Sequence, residues 1–286
     1  MTADRTHADP ATAVRKIEAG SRQLETACGA GRMVWRQWGA GAPIVLLHGG
    51  SGSWLHWVTT VPTLAPRYTV WAPDMPGFGD SDLPPRPYTL ETYAAIVEQG
   101  LRKLLPDSVA FDMAGFSLGA GVAVRLARLF EGRLRHLVLS GANFMEPVPG
   151  TRRPLLSLRR LQDPAERLRG VRHNLHVMML AHPDNIDPLA LHLYALDTAR
   201  RKLPRVSFSG FSSLRRDLPH ARLQGRLTVI SGADDQVIGH AQHGQAEALR
   251  ALRPEAEYHA LEGGGHWVMY EVAGRYNRSL LRALGA

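Results

Sequence analysis

The 286-residue sequence contains a single cysteine, Cys28, so it closes no intramolecular disulfide and builds no cysteine-rich zinc module. No apolar run approaches the roughly 18 residues of a membrane span. The polar first twenty residues lack the apolar stretch of a secretory signal. A cytoplasmic protein with no membrane partner is therefore expected. Neither G-x-G-x-x-G nor Gly-Lys-[Ser/Thr] occurs, which argues against nucleotide binding. Aromatic residues are only 7% of the chain and do not interleave with basic ones as base stacking requires, so no nucleic-acid partner is expected.

The hydrophobic share is 44% and the charged share 21%, enough apolar material for a sizeable core and incompatible with whole-chain disorder. The net charge of +8 is unevenly spread. Residues 151–226 hold 15 basic and 6 acidic side chains, an excess that accounts for the whole surplus. The charges there are dispersed, which suits a solvated face, with attraction of an anionic substrate as the alternative.

Residues 1–20 read as a loosely attached leader with a short helix around 11–19. Strand-like runs at 22–27 and 32–38, joined by a Gly-rich turn, form a hairpin. The continuous apolar run 43–48 suits a strand buried on both faces of a parallel sheet. A helix follows at 54–64, a strand at 68–72, and a long helix over 89–105 with Thr89 as its cap. Strands at 108–113 and 135–140 flank a helix at 120–130. From 144 to 221 no strand pattern is visible, and the segment reads as a helical insertion. Strands at 226–231 and 257–261, a helix at 241–252 and a final helix after Trp267 resume the alternation. Strands alternating with helices predict an α/β fold, a doubly wound parallel sheet. The core then spans 21–143 and 222–286, with a cap at 144–221.

The chemistry centres on Gly115-Phe116-Ser117-Leu118-Gly119, a G-x-S-x-G pattern between a strand and a helix. A serine at such a sharp turn exposes its hydroxyl, and the residues two before and two after must be small. The helix N-terminus that follows favours developing negative charge. A serine hydroxyl needs a base. His266 follows three glycines at a strand end and is the candidate. An orienting acid is expected after the preceding strand, where Asp234 and Asp235 stand side by side. The order Ser117, Asp, His266 is the one this turn architecture uses. An oxyanion needs two N–H donors: Leu118, directly after the serine, and Gly50, in the run His48-Gly49-Gly50-Ser51-Gly52.

These motifs, with Asp74-Met-Pro-Gly-Phe-Gly-Asp-Ser-Asp82 and Gly265-His266-Trp267, resemble the α/β-hydrolase superfamily over about residues 22–286. The resemblance implies a mostly parallel eight-stranded sheet with a helical cap inserted after the sixth strand, and Asp235 as the triad acid. Ser117 stands where haloalkane dehalogenases and epoxide hydrolases carry Asp, which disfavours both. Gly265-His266-Trp267 and Arg172-His-Asn174-Leu175…Met178-Met179 look similar to the carbon–carbon hydrolases that split meta-cleavage products of aromatic degradation. Those enzymes bind the substrate carboxylate with a cap arginine. The aligned position falls at Tyr194 or Ala195 here, and Arg200 or Arg201 is the nearest substitute.

The expected activity is hydrolysis of a small carboxylic ester or related acyl substrate by Ser117, Asp235 and His266. Carbon–carbon cleavage is the alternative, and a non-catalytic binding protein on the same fold is the alternative of another class. The pocket is expected to be walled by Ser51, Trp54, Phe116, Asn174, Met178, Met179 and Trp267. His173 and His176 lie at i, i+3 but lack a third ligand, so no metal and no cofactor is expected. The partner is a small-molecule substrate, with an anionic one left open, and the resemblance is compatible with a homodimer.

Overall fold

The computed structural model describes residues 9–145, 154–203 and 211–286. Eight strands form one sheet: β1 (Arg22–Cys28), β2 (Gly31–Trp38), β3 (Ala42–Leu47), β4 (Tyr68–Pro73), β5 (Phe111–Phe116), β6 (Leu134–Ser140), β7 (Leu227–Gly232) and β8 (Glu257–Leu261). Their order is β1-β2-β4-β3-β5-β6-β7-β8. Strands β3 to β8 run parallel, and β2 runs antiparallel to both its neighbours. This is the mostly parallel eight-stranded α/β fold expected from the sequence.

The helices among the described residues are α1 (Pro10–Ala19), α2 (Val61–Leu64), α3 (Leu90–Leu104), α4 (Leu118–Leu129), α5 (Pro164–Met178), α6 (Pro188–Arg200), α7 (Phe211–Asp217), α8 (Gln245–Leu252), α9 (Val268–Glu271) and α10 (Ala273–Ala283). None is long and apolar enough to cross a membrane. The helices start where the chemistry lets them. Thr89, Asp163 and Asp187 accept backbone N–H bonds at the starts of α3, α5 and α6, and α5 and α6 open with proline.

Alternate strand residues feed two cores, one on each face. Val45, Leu47, Met113, Leu137, Leu139 and Val229 pack with α3, α4 and α8. Ile44, Leu46, Ala114, Phe116, Val138 and Ile230 pack with α1, α5, α6, α9 and α10. Both faces are covered, so the strands read as unbroken apolar runs rather than alternating ones.

Several elements differ from the sequence reading. The single helix expected at 54–64 is a 3₁₀ turn over Trp54–Trp57 followed by α2. Pro62 has no N–H to continue the helix, so it sits in the first turn of a new one. The strand expected at 108–113 begins at Phe111, after a turn closed by Val109 N–H on Pro106 O, and runs on to Phe116. The helix expected from residue 241 opens as a 3₁₀ turn, Gly239–Gly244, before α8.

Residues 10–19, read as part of a loose leader, form a docked helix. Val14 is buried, Ile17 O accepts from Trp38 Nε1 at 2.7 Å, and Glu18 binds Arg36. Residues 1–8 of that expected leader lie outside the described residues, as do 146–153 and 204–210 of the expected cap. Between β6 and β7 the described residues hold α5, α6 and α7 and no strand.

Arg36, in β2, is 1% exposed and is the polar anchor of this side. It pairs with Glu18 of α1 and with Asp74 and Asp80 of the loop after β4, under the ring of Trp54. Removing one member of a buried pair leaves the other charge unpaired in the interior. Arg36→Ala is expected to lower stability by about 3–5 kcal/mol in urea unfolding. A loss below about 1 kcal/mol would show that the cluster is not an anchor.

Candidate active site

Strand β5 ends at Phe116 and α4 begins at Leu118, so Ser117 alone makes the turn. Its φ of 52° and ψ of −111° lie in a region costly for any side chain other than glycine's hydrogen. The strain is sustained by Ser117 N–H on Ser140 O (2.8 Å) and by close packing on either side. A Cβ at Gly115 would lie 2.5 Å from Gly119 O, and one at Gly119 would lie 2.3 Å from Leu47 O. Glycine is therefore required at both ends of the motif, and α4 starts directly against the end of β3.

Asp235 leaves the end of β7 and His266 the loop after β8. His266 Nδ1 lies 2.8 Å from Asp235 Oδ2, and Nε2 lies 3.1 Å from Ser117 Oγ. Asp235 Oδ1 accepts from Val237 and Ile238 N–H, which aims Oδ2 at the ring. A carboxylate only accepts, so Nδ1 carries the proton and the Nε2 lone pair faces the serine hydroxyl. Asp234 points elsewhere, toward Gly263 N–H and His182. Ser117 is partly exposed, whereas His266 and Asp235 are buried. The imidazole packs on Phe116 at 4.9 Å, beside Gly141, where a Cβ would meet it at 2.7 Å.

Two buried histidines set the glycine loop. His48 Nε2 accepts from Met75 N–H, so its Nδ1 carries the proton and donates to Gly49 O at 2.7 Å. Burial holds this ring below its ordinary pKa. His56 Nδ1 accepts from Gly49 N–H at 3.1 Å. In a trans peptide C=O and N–H point in opposite directions. Fixing Gly49 O on His48 thus turns Gly50 N–H away from it, and Gly50 itself lies next to Leu118. Neither Gly50 nor Leu118 N–H has an acceptor among the described residues. Both are the amides expected from the sequence as oxyanion donors.

Glu271 ties the histidine loop to the helical segment between β6 and β7. Its carboxylate accepts from Gly265, Ala181 and His182 N–H and from the Asn185 amide. Trp267 N–H reaches Met179 O, and Trp267 Nε1 reaches His56 O. Beside these loops lies a cavity of about 70 Å³ lined by Gly50, Ser51, His56, Leu155, Met178, Met179, Tyr194, Asp197 and Trp267.

Of the expected pocket walls, Ser51, Met178, Met179 and Trp267 line this cavity, and Trp54, Phe116 and Asn174 do not. Trp54 is buried between Trp38 and Arg36. Phe116 lies beneath the rings of His56 and His266. Asn174 spends its amide on both backbone groups of Leu156. Neither Arg200 nor Arg201 lines the cavity, and Arg200 lies 3.8 Å from Asp80. His173 and His176 bind the backbone oxygens of Pro154 and Leu180, and no metal-binding cluster occurs among the described residues.

His56, Leu155, Tyr194 and Asp197 also line the cavity and Glu271 ties its loops, none of them expected there from the sequence. A signal existed for Asp197. It continues the buried stripe Ala190, Leu193 at helical spacing, so an acid falls on an apolar face.

A family profile described as alpha/beta hydrolase fold matches residues 42–273. The chain is 30% identical over 252 residues to a 2-hydroxymuconate semialdehyde hydrolase of Pseudomonas sp. (strain CF600), covering 83% of this chain and 85% of that one. It is 28% identical to a 2-hydroxy-6-oxo-2,4-heptadienoate hydrolase of Pseudomonas putida, covering 85% and 88%. Among solved structures, an esterase from Rhodococcus sp. ECU1013 superposes with a TM-score of 0.72 at 22% identity, covering 93% and 99%.

Two glycines of α4 make opposite predictions. Gly119→Ala drives a Cβ into the backbone of Leu47 and His48 and is expected to cost at least about 1–3 kcal/mol. Gly121→Ala meets only the Leu90 side chain at ordinary distance and is expected to stabilise α4 by about 0.5–1 kcal/mol. Urea unfolding of both variants checks the pair. Equal effects would contradict the close crossing of α4 and β3.

Proposed function

The chain belongs to the α/β-hydrolase fold family, and from that premise we propose that it is a serine hydrolase cleaving a small carboxylic ester or related acyl substrate. The single observation that carries this reading is the continuous hydrogen-bonded line from Asp235 through His266 to Ser117.

In the proposed cycle Ser117 Oγ attacks the substrate carbonyl carbon as His266 Nε2 takes its proton. Asp235 holds the imidazole in the tautomer that leaves Nε2 free, and steadies the imidazolium that forms. The carbonyl oxygen becomes an oxyanion held by the N–H groups of Gly50 and Leu118, each donor worth roughly 10²–10³ in rate. His266 then gives its proton to the leaving alcohol, and the acyl group stays on Ser117. Water, deprotonated by the same ring, attacks the acyl carbon and releases the acid. The helices between β6 and β7 act as a cap that closes the cavity over the acyl group. A small cavity with Met178, Met179 and Trp267 in its wall suits a short, largely apolar chain.

A second reading is carbon–carbon hydrolysis, favoured by the names of the two Pseudomonas relatives. The leaving group would then be a carbanion or enol, and the substrate must ketonise before the bond breaks. A gem-diol formed by water, with Ser117 and His266 as acid–base partners, fits the same geometry. Tyr194 or Ala195 at the position where such enzymes carry an arginine weighs against a carboxylate-bearing dienoate.

The test is turnover of p-nitrophenyl acetate, butyrate and octanoate by the wild type and by Ser117→Ala, with folding matched by circular dichroism. The short esters are expected to be hydrolysed faster than octanoate, and Ser117→Ala to lower kcat by about 10⁶-fold. Equal turnover by the two proteins would overturn the assignment of Ser117. Turnover of a vinylogous diketone acid without any ester turnover would favour the second reading.

A further inference from the structure

Resting on the hydrolase reading for which group enters the cavity, we propose that Asp197 sets acyl specificity, its carboxyl group and the His56 ring together gripping an uncharged oxygen acceptor of the acyl chain, such as an ether, ketone or hydroxyl oxygen.

Asp197 lies on α6 and is 4% exposed, yet it lines the cavity together with His56, Ser51 and Tyr194. The proposed catalytic cycle does not use it. Its Oδ1 accepts from Ser53 Oγ at 2.6 Å, while Ser53 Oγ in turn accepts from Leu55 N–H. Oδ1 is thus committed to the wall, the Ser53 backbone N–H adds a second donor to the carboxyl group, and Oδ2 lies on the His56 side.

Among the described residues, the groups around it supply no cation to match a carboxylate. From the 3₁₀ turn, His56 Nε2 stands 4.0 Å from Oδ2, beyond hydrogen-bond reach. Burial keeps the His56 ring neutral, well below its ordinary pKa, with His48 and His266 adding to the effect. Its Nδ1 accepts from Gly49 N–H, so Nε2 must carry the proton. From the loop after β4, the Asp74 carboxylate repels a second negative charge, and Asp74 is itself matched by Arg36. On α6, Arg200 favours the charged form only from a distance, and it pairs with Asp80. Burial outweighs the rest and pushes the Asp197 carboxyl up to about 8. At pH 7 the group is therefore a neutral acid whose O–H is a donor.

Two donors then face the same small space, the carboxyl O–H of Asp197 and the Nε2–H of His56. Their complement is an oxygen lone pair. An anionic acyl group finds no cation from Asp197 or His56, and meets repulsion once Asp197 ionises. A cationic acyl group would instead draw the proton off Asp197, and is the competing outcome to exclude.

The probes are p-nitrophenyl butyrate and the near-isosteric p-nitrophenyl methoxyacetate, with hemisuccinate as the anionic ester and 4-(trimethylammonio)butyrate as the cationic one. The wild type is expected to show a KM for methoxyacetate about tenfold below that for butyrate, the worth of one net hydrogen bond. Asp197→Leu erases this difference. Asp197→Asn keeps it, because an amide also donates. As pH rises through about 8 the wild-type KM for methoxyacetate climbs toward a limit about tenfold higher, and that of Asp197→Asn does not.

Stability gives a second reading with no substrate. A neutral carboxyl in the fold that ionises on unfolding weakens the fold as pH rises from about 4 to about 8. Asp197→Asn should therefore unfold at higher urea than the wild type at pH 8, and the gap should close toward pH 4.

A preference for methoxyacetate that survives Asp197→Leu overturns the proposal. So does a cationic ester that binds best and is lost in Asp197→Asn. If no ester is turned over, the ester-hydrolase reading fails separately. Binding of methyl methoxyacetate and methyl butyrate to Ser117→Ala, followed by titration calorimetry, then tests the same preference and pH dependence without chemistry.

Discussion

The crossing of α4 over the end of β3 is the constraint on which the candidate site depends. Gly119 sits so close to the carbonyls of Leu47 and His48 that no Cβ fits between them. This contact fixes the first turn of α4, and Ser117 takes its strained conformation because Phe116 and Leu118 on either side are already committed to strand and helix. The same contact brings the end of β3 beside the serine, and the glycine loop that continues from β3 follows it. The strain at Ser117 is thus sustained by packing and by one backbone hydrogen bond rather than by its own side chain.

Around this crossing, buried polar groups do the positioning that apolar packing cannot. Apolar contacts have no direction, whereas a hydrogen bond fixes an atom in angle and distance. His48 and His56 each hold one side of the Gly49 backbone, and their tautomers follow from the bonds they make. Asp74 receives Trp54 N–H, Asp80 N–H and Arg36, joining the loop after β4 to β2. Glu271 gathers donors from the histidine loop and from the segment after α5. His48, Asp74 and Glu271 are satisfied, which is what makes their burial tolerable, whereas His56 keeps its Nε2–H for the cavity. Asp197 is the exception in kind, because it lines the cavity and burial leaves it without charge at neutral pH.

The strands and the elbow were legible because their causes are local. A strand covered on both faces must be apolar throughout, and a serine on a sharp turn must have small residues two places away. The hairpin of β1 and β2 and the cap at Thr89 were legible for the same reason. Ser117, Asp235 and His266 lie far apart in sequence, yet each follows the carboxyl end of a strand, and a parallel sheet brings such ends together. The cavity walls were not legible in this way. Ser53 meets Asp197 across 144 residues of sequence, and no local pattern encodes that pairing. Trp54 and Asn174, expected as pocket walls, show the same limit. Their side chains instead serve Arg36 and the Leu156 backbone. Residues 10–19 look detachable in sequence because their partner, Arg36, lies in a strand that gives no hint of a buried charge.

The most direct measurement of the central claim, that His266 activates Ser117, is covalent labelling of the folded chain with a fluorophosphonate, followed by peptide mapping by mass spectrometry. One adduct is expected, on Ser117, formed rapidly in the wild type, slowly in His266→Ala, and not at all in urea. An adduct on another serine, or equal labelling rates with and without His266, would contradict it.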